Sequence, residues 1–362
     1  MKLLIVKLSS LGDVVHTFPA LTDAVKRVPG LTVDWAVEEA FAPLVRLHPA
    51  VRHVIPIPMR RLRKSPVAGW RSAEGQAVRA ALARERYDLV IDAQGLLKSA
   101  AIACFATGPR HGFARGSARE ALAPFFYRRG HHIPEVEHMA VRIRKLFGAA
   151  LGYELDGLPI DAGLSIAPQD TVAPYVLLMH GTTWPTKTWT GVRWRELANL
   201  AADAGLETRL FALGDAERTR AETIARDMPW VRLVPPAPID GLAPVIAGAQ
   251  GVVAVDSGLG HLAAAVGVPT VGLYGPTNPR LTGLYGPKVL ELRSFRPCAP
   301  CEKSRCKIAP HTLEGPPCMV DHSALAAWRS LNVLRFGHAD AMDKARHPMA
   351  QGAGSVPPPG SP

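Results

Sequence analysis

Lys7-Leu8-Ser9-Ser10-Leu11-Gly12-Asp13-Val14-Val15-His16 stands between the apolar run Leu3-Leu4-Ile5-Val6 and residues 17–28, where apolar side chains return at helical spacing. The run reads as a buried first strand, and the quoted stretch as the loop that carries the chain from strand to helix. In a doubly wound sheet a loop at the carboxyl end of its strand faces the ligand crevice. Asp13 is thereby placed at the mouth of a cleft. Two readings of the loop stay open. Ser9, Ser10 and Gly12 suit a tight turn and Asp13 a helix cap; equally, a carboxylate at that point is well placed to work on a substrate.

Outward from this loop the strand-helix alternation repeats. Strands are expected over residues 3–7, 32–37, 54–57 and 89–92, and helices over 21–28, 41–47, 76–84 and 97–105. That order predicts a parallel sheet with right-handed crossovers. Between 151 and 174 the pattern lapses into Gly, Pro and Asp, as in a linker. A second alternation then begins, with strands over 175–179, 208–212, 231–233, 251–255 and 270–274 and helices over 192–204, 216–226, 239–248 and 260–266. The expectation is an α/β protein of two doubly wound, Rossmann-like domains, residues 1–160 and 174–320, with a ligand cleft between them. A helical segment over 321–348, its helix over 321–336, follows, and the low-complexity tail 349–362 is expected to be disordered.

Composition narrows the class. The longest mostly apolar stretch, residues 262–274, is too short for a membrane span and is broken by Pro269. Only four apolar residues separate Lys2 from Lys7, too few for a signal peptide, so a cytoplasmic location is expected. The net charge of +11 is lopsided: residues 1–150 hold 23 Lys and Arg against 12 Asp and Glu, while the remainder is balanced at 19 against 19. A basic half beside a neutral half implies an anionic partner for the first half, whether nucleic acid, membrane surface or phosphorylated substrate. Cys104 lies in an apolar run and suits a core. The other four cysteines form Cys298-x2-Cys301-x4-Cys306-x11-Cys318, which reads as a reduced thiol cluster or a structural metal site.

Several strand-end loops carry chemistry. Asp256-Ser257-Gly258-Leu259-Gly260-His261 follows a buried strand and opens a small-residue helix, a setting in which backbone N–H groups favour a phosphate or pyrophosphate. The Gly-x-Gly-x-x-Gly spacing is absent, which argues against an ordinary NAD site. His261 either donates to a phosphate oxygen or merely starts the helix; Asp256 either caps the helix or touches substrate. His180-Gly181-Thr182-Thr183-Trp184-Pro185-Thr186-Lys187 offers two hydroxyls and a lysine suited to a departing phosphate. Glu217 follows the next strand. In the basic half, Arg60-Arg61-Leu62-Arg63-Lys64 and Asp92-Ala93-Gln94-Gly95-Leu96-Leu97-Lys98-Ser99 occupy further strand ends.

Taken together, Lys7-x-Ser9-Ser10-x-Gly12-Asp13-Val14-x-His16-Thr17-x-Pro19-Ala20-Leu21, Val37-Glu38-Glu39, the Arg60 to Lys64 run, Asp92-Ala93-Gln94-Gly95-Leu96-x-Lys98-Ser99 and Asp256-Ser257-Gly258-Leu259-x-His261-Leu262 resemble the lipopolysaccharide heptosyltransferases, and among them the enzymes that add the first heptose. The likeness spans about residues 1–290. It implies the GT-B fold and an inverting glycosyl transfer without a cofactor, from an ADP-heptose donor in the carboxyl-terminal domain to the Kdo of Kdo2-lipid A. It also implies a protein peripheral on the anionic cytoplasmic face of the inner membrane, with no nucleic acid as partner. By the resemblance Asp13 is the general base, and Thr182, Thr183, Lys187, Asp256, Ser257, Gly258 and His261 belong to the donor site, with Glu217 a looser match. Ser9, Ser10, Arg60, Arg61, Arg63, Lys64, Lys98 and Arg119 fall on the acceptor side. The four-cysteine cluster is more similar to the enzymes that add the second heptose, which is the alternative. A nucleotide-sugar epimerase and a non-catalytic polyanion binder are the rival readings.

Overall fold

The computed structural model describes residues 1–309 and 315–337; the expected tail 349–362 and residues 338–348 lie outside the described residues. The first six strands are β1 (Lys2–Val6), β2 (Thr32–Glu38), β3 (Val51–Ile57), β4 (Leu89–Asp92), β5 (Arg110–Phe113) and β6 (Arg129–His131), and they form one parallel sheet in the order β3-β2-β1-β4-β5-β6. The next six are β7 (Tyr175–Met179), β8 (Glu207–Phe211), β9 (Val231–Val234), β10 (Gly251–Val255), β11 (Thr270–Tyr274) and β12 (Val289–Arg293). They form a second parallel sheet in the order β12-β11-β10-β7-β8-β9. Numbered within its own half and read from β9, the second order is 3-2-1-4-5-6, the same as the first. Each half is therefore a doubly wound sheet, and the pair constitutes a GT-B fold.

Central strands are apolar throughout because helices cover both faces of the sheet. All of Leu3, Leu4, Ile5 and Val6 are buried, as are all five residues of β7, β10 and β11. Three strands and one long helix escape the hydrophobic pattern. β5 is Arg-His-Gly-Phe, β6 has three residues with two exposed, and β12 is half-buried along its first four residues at a sheet edge. The helix Met139–Leu151 was not expected at all; its arginines Arg142 and Arg144 point inward, which blurs its apolar stripe. Arg144 meets Asp23 at 2.6 Å in a pair almost without solvent exposure, tying this helix to Phe18–Arg27. The helix expected over 41–47 is a 3-10 turn, Glu39–Phe41, followed by the single turn Ala42–Val45.

The two lobes meet. The single turn Ala42–Val45 packs on the helix Ile239–Ala247, and the short helix Leu11–Val15 packs on Gly258–Val266. A Cβ at Gly12 would stand 2.9 Å from His261 Cδ2, and one at Gly258 would stand 2.8 Å from Leu11 Cβ, so both glycines are there for close approach. Tyr285 of the second lobe accepts a hydrogen bond from Arg144 of the first at 3.0 Å and stacks on His138. The helix Ala324–Phe336, started by the Ser323 hydroxyl, lies against Gly191–Asp203 and β10 to β12.

Candidate active site

Strand order reverses between β1 and β4 in the first sheet and between β7 and β10 in the second, and these are the points at which a doubly wound sheet opens a crevice. The four loops leaving those strands carry Ser9 to Asp13, Gln94 to Lys98, Thr182 to Lys187, and Asp256 to His261. A cleft of about 660 Å³ runs between the lobes, lined on one side by Ser10, Leu11 and Gly12 and on the other by Thr182, Thr183, Lys187, Glu217, Asp256, Ser257, Gly258 and His261.

On the first lobe Ser10 is the N-cap of Leu11–Val15 and Asp13 its third residue. One carboxylate oxygen, Oδ2, accepts from the Ser10 amide at 2.9 Å and from the Ser10 hydroxyl at 3.0 Å; the other faces Lys7 Nζ at 3.4 Å. The cap is thus Ser10, and Asp13 answers it from inside the helix. Burial works to raise the Asp13 carboxyl, but the Lys7 ammonium, the Ser10 amide, the nearby His16 and the Ser10 hydroxyl prevail and hold it well below the usual carboxylate range. Its side chain keeps 20% exposure, so a fully charged carboxylate reaches solvent. Lys7 itself is buried and also donates to the Ala93 carbonyl at 3.1 Å. Gln94 accepts from the Leu8 amide at 2.8 Å, and Lys98 donates to the Ser9 hydroxyl at 3.0 Å, joining the β1 and β4 loops.

On the second lobe Ser257, not Asp256, caps the helix Gly258–Val266 through the Gly260 amide. Asp256 instead meets Lys187 at 2.7 Å, His261 Nε2 at 3.4 Å and the Thr277 hydroxyl at 2.8 Å. Burial raises its carboxyl, yet His261 and Lys187 outweigh that and keep it well below the ordinary range. Lys187 lies 4.5 Å over the Trp184 ring, at the turn Pro185–Lys187. Glu217, near the start of the helix Asp215–Ala225, accepts from the Leu213 amide at 3.3 Å, and burial pushes its carboxyl up.

At the seam itself three histidines converge. His16 and His138 of the first lobe both hydrogen-bond the Gly283 carbonyl of the second, at 3.2 and 3.1 Å, and the rings of His16 and His261 are edge to face at 4.7 Å. Burial, then the other two imidazoles, depress His16 far below its usual value; burial takes His138 down to about 4. His138, Thr277 and Lys7 were not singled out in the sequence as site residues. Thr277 follows the strand β11, so its strand-end position was a usable signal; His138 caps a helix that the pattern hid.

The cations expected on the acceptor side divide into two kinds, and none of Arg60, Arg61, Arg63, Lys64 and Arg119 lines the cleft itself. Arg61 is held between Glu39 and Glu74, each at 2.6 Å, and these partners raise its guanidinium above its ordinary range. Arg60 pairs with Glu38 at 3.2 Å while its side chain is 85% exposed, and Arg63, Lys64 and Arg119 are exposed. All stand beyond the carboxyl ends of β3 and β5. The four cysteines Cys298, Cys301, Cys306 and Cys318 line one small cavity of about 90 Å³ on the far side of the turn that bears Lys187.

Comparisons with known proteins agree with this geometry. Residues 76–311 match the family model of glycosyltransferase family 9 (heptosyltransferase). The lipopolysaccharide heptosyltransferase 1 of Pseudomonas aeruginosa is 48% identical over 314 residues, covering 86% of this chain and 88% of that protein. That of Escherichia coli K12 is 43% identical over 311 residues, covering 82% and 94%, whereas lipopolysaccharide heptosyltransferase 2 of the same strain is 25% identical. The solved structure of E. coli heptosyltransferase WaaC with ADP-2-deoxy-2-fluoro heptose aligns with a TM-score of 0.76 at 40% identity, covering 90% of this chain and 97% of that one.

Proposed function

The chain belongs to glycosyltransferase family 9, and from that premise we propose that it is an inverting heptosyltransferase of the first-transfer type, moving heptose from ADP-heptose to the Kdo of Kdo2-lipid A. The observation that carries the reading is the placement of Asp13 on the short helix that abuts Gly258–Val266, directly behind the cleft wall of Ser10, Leu11 and Gly12, with the Lys187–Asp256 pair on the opposite wall.

In this mechanism Asp13 takes the proton of a Kdo hydroxyl as that oxygen attacks the anomeric carbon of the heptose. The bond from that carbon to the ADP oxygen breaks on the opposite face, so the anomeric configuration inverts. Charge gathers on the departing diphosphate, where the amides opening Gly258–Val266 and the Lys187 ammonium receive it. Asp256 holds the Lys187 ammonium in place beside the phosphate position, and the Thr182 and Thr183 hydroxyls lie on the same wall. Lys98, Ser9, Ser10, Arg60, Arg63, Lys64 and Arg119 are offered to the carboxylates and phosphates of the acceptor, and Arg61 orders that surface through Glu39 and Glu74.

The acceptor is anchored in a bilayer, so the protein must work at a membrane surface. Among the described residues no helix is long and apolar enough to cross one. Leu122 and Phe125, 58% and 74% exposed, project beside Arg128 and Arg129 on the lobe that bears the acceptor-side loops, a combination that suits peripheral docking on anionic lipid. Cosedimentation with anionic but not neutral vesicles is the check.

The deciding experiment incubates the protein with ADP-heptose and Kdo2-lipid A carrying no heptose or one. Gain of one heptose mass on the bare acceptor alone is expected; gain only on the monoheptosylated acceptor would assign the second transfer instead, and turnover of donor without any acceptor would assign an epimerase.

A further inference from the structure

Between β12 and the helix Pro317–Val320 the chain runs from Ser294 to Pro316 without regular secondary structure in its described residues. Loops of this length without elements of their own are uncommon in compact domains, and ordering each residue costs about 1–2 kcal/mol of backbone entropy. Ordinarily a core offsets that cost. Among the described residues of the loop the large apolar side chains face outward, Phe295 at 96% and Ile308 at 67% exposure. What the loop gathers instead is sulfur, from the exposed Cys298 and half-buried Cys301 and Cys306 down to the buried Cys318. Cys298, Cys301 and Cys306, with Cys318 from the following helix, surround one cavity of about 90 Å³.

We propose that these four cysteines hold a single tetrahedral thiophilic divalent cation, of the zinc class, as a structural metal site. The chain is folded for it at three points. Glu302, directly after Cys301, adopts a left-handed φ of 52°, turning the chain back so that the Cys298-x2-Cys301 pair lines the common cavity. The Ala309 amide donates to Cys306 Sγ at 3.4 Å, the kind of N–H bond that orients a metal-bound thiolate. Arg296, Lys303, Arg305 and Lys307 line the same cavity, and four thiolates about a divalent ion carry a net charge of −2 that such cations balance. Binding would draw the sulfurs to about 2.3 Å from one centre. Among the described residues the group whose ligand-type atoms already lie within 4.8 Å of one another is Asp34, His53 and Glu85, and it is satisfied: its carboxylates pair with Arg52 and Lys2 and accept from Tyr87; the four sulfurs stand wider round their cavity and would close in on the ion.

The site is not remote from the donor pocket. The Thr186 hydroxyl donates to the Lys303 carbonyl at 2.7 Å, one residue from Lys187. The Glu302 amide donates to Pro276 and its carboxylate accepts from the Asn278 amide, both at 2.8 Å, flanking Thr277 and hence Asp256. A metal at the cysteines would brace both partners of the Lys187–Asp256 pair from behind.

The test is metal analysis of the full chain purified under reducing conditions, followed by removal of metal and titration with Co(II). One equivalent of zinc or iron, and one equivalent of Co(II) giving the visible bands and sulfur charge-transfer absorption of a tetrahedral thiolate, are expected. C301S and C318S should each abolish stoichiometric binding, and C104S should leave it intact. If the cysteine variants do not fold, the wild-type Co(II) spectrum alone decides. Absence of that spectrum from reduced, folded protein would overturn the proposal. So would metal retained in C301S and C318S, or fewer than five free thiols in unreduced, metal-free protein, which would make the cluster a disulfide site.

Discussion

The two lobes have the same strand order, and each puts an aspartate in a switch-point loop, yet the two aspartates live differently. Asp256 is enclosed by Lys187, His261 and Thr277, three partners on one small carboxylate. Asp13 has one cation, Lys7, behind it and the Ser10 cap beside it, and its side chain remains 20% exposed. Under the proposed mechanism, a carboxylate spent on neighbours positions a cation, whereas one held ionised by a single cation and kept 20% exposed is free to accept a proton. Identical topology has been turned to opposite uses by what surrounds the same functional group.

The comparison can be broken most decisively at Asp13. Asp13→Ala should lower kcat by roughly 10²–10⁴ while ADP-heptose affinity, measured by calorimetry, stays near wild type; near-normal turnover would mean that the two carboxylates do not differ as described. Lys187→Ala tests the other lobe. It should cost roughly 10²–10³ in kcat through lost stabilisation of the leaving diphosphate, and unlike Asp13→Ala it should weaken ADP binding as well. Lys7→Met sharpens the contrast further. With its principal cation gone, the Asp13 carboxyl rises toward and past its ordinary value of about 3.9, so kcat/KM should fall as pH drops toward 5 in the variant but not in the native enzyme. A flat profile in the variant would show that Ser10 alone keeps the carboxylate charged.

The smallest effect concerns the buried histidines, two of them at the seam and His180 inside the second lobe. His138 and the fully buried His180 are both lowered to about 4, each chiefly by burial, and His16 lies well below its normal range. An unfolded chain binds those protons near pH 6.5, so the unfolded state holds more protons than the native one between about pH 6.5 and 4, and stability must fall as pH falls through that window. By pH 5 the loss for a fully buried imidazole such as His180 is on the order of 1–2 kcal/mol, readable as a drop in Tm; a Tm unchanged from pH 7 to 5 would contradict the burial of these rings.

Much of the fold was legible because central strands of covered parallel sheets are nearly unbroken apolar runs, and β1, β4, β7, β10 and β11 are such runs. Three strands at or next to a sheet edge were not. β6 and β12 are edge strands and β5 lies beside β6; they carry Arg, His and Glu, so their sequences look like loop. The switch-point loops could be read for the same reason as the strands they leave. What could not be read is pairing over distance. Nothing local says that Arg61 will be taken by Glu39 and Glu74, that Arg144 will be buried on Asp23, or that two histidines will share the Gly283 carbonyl across the seam. Such contacts depend on the tertiary arrangement that the apolar pattern builds first.

Gly12 and Gly258 let the helix bearing Asp13 rest directly on the helix Gly258–Val266. With no side chain as a spacer, and with Asp13 as the proposed base, the distance from base to anomeric carbon is set by how closely the two lobes meet. Were they to swing apart, the carboxylate would recede together with the wall that carries it, so enclosure and readiness to react become one event.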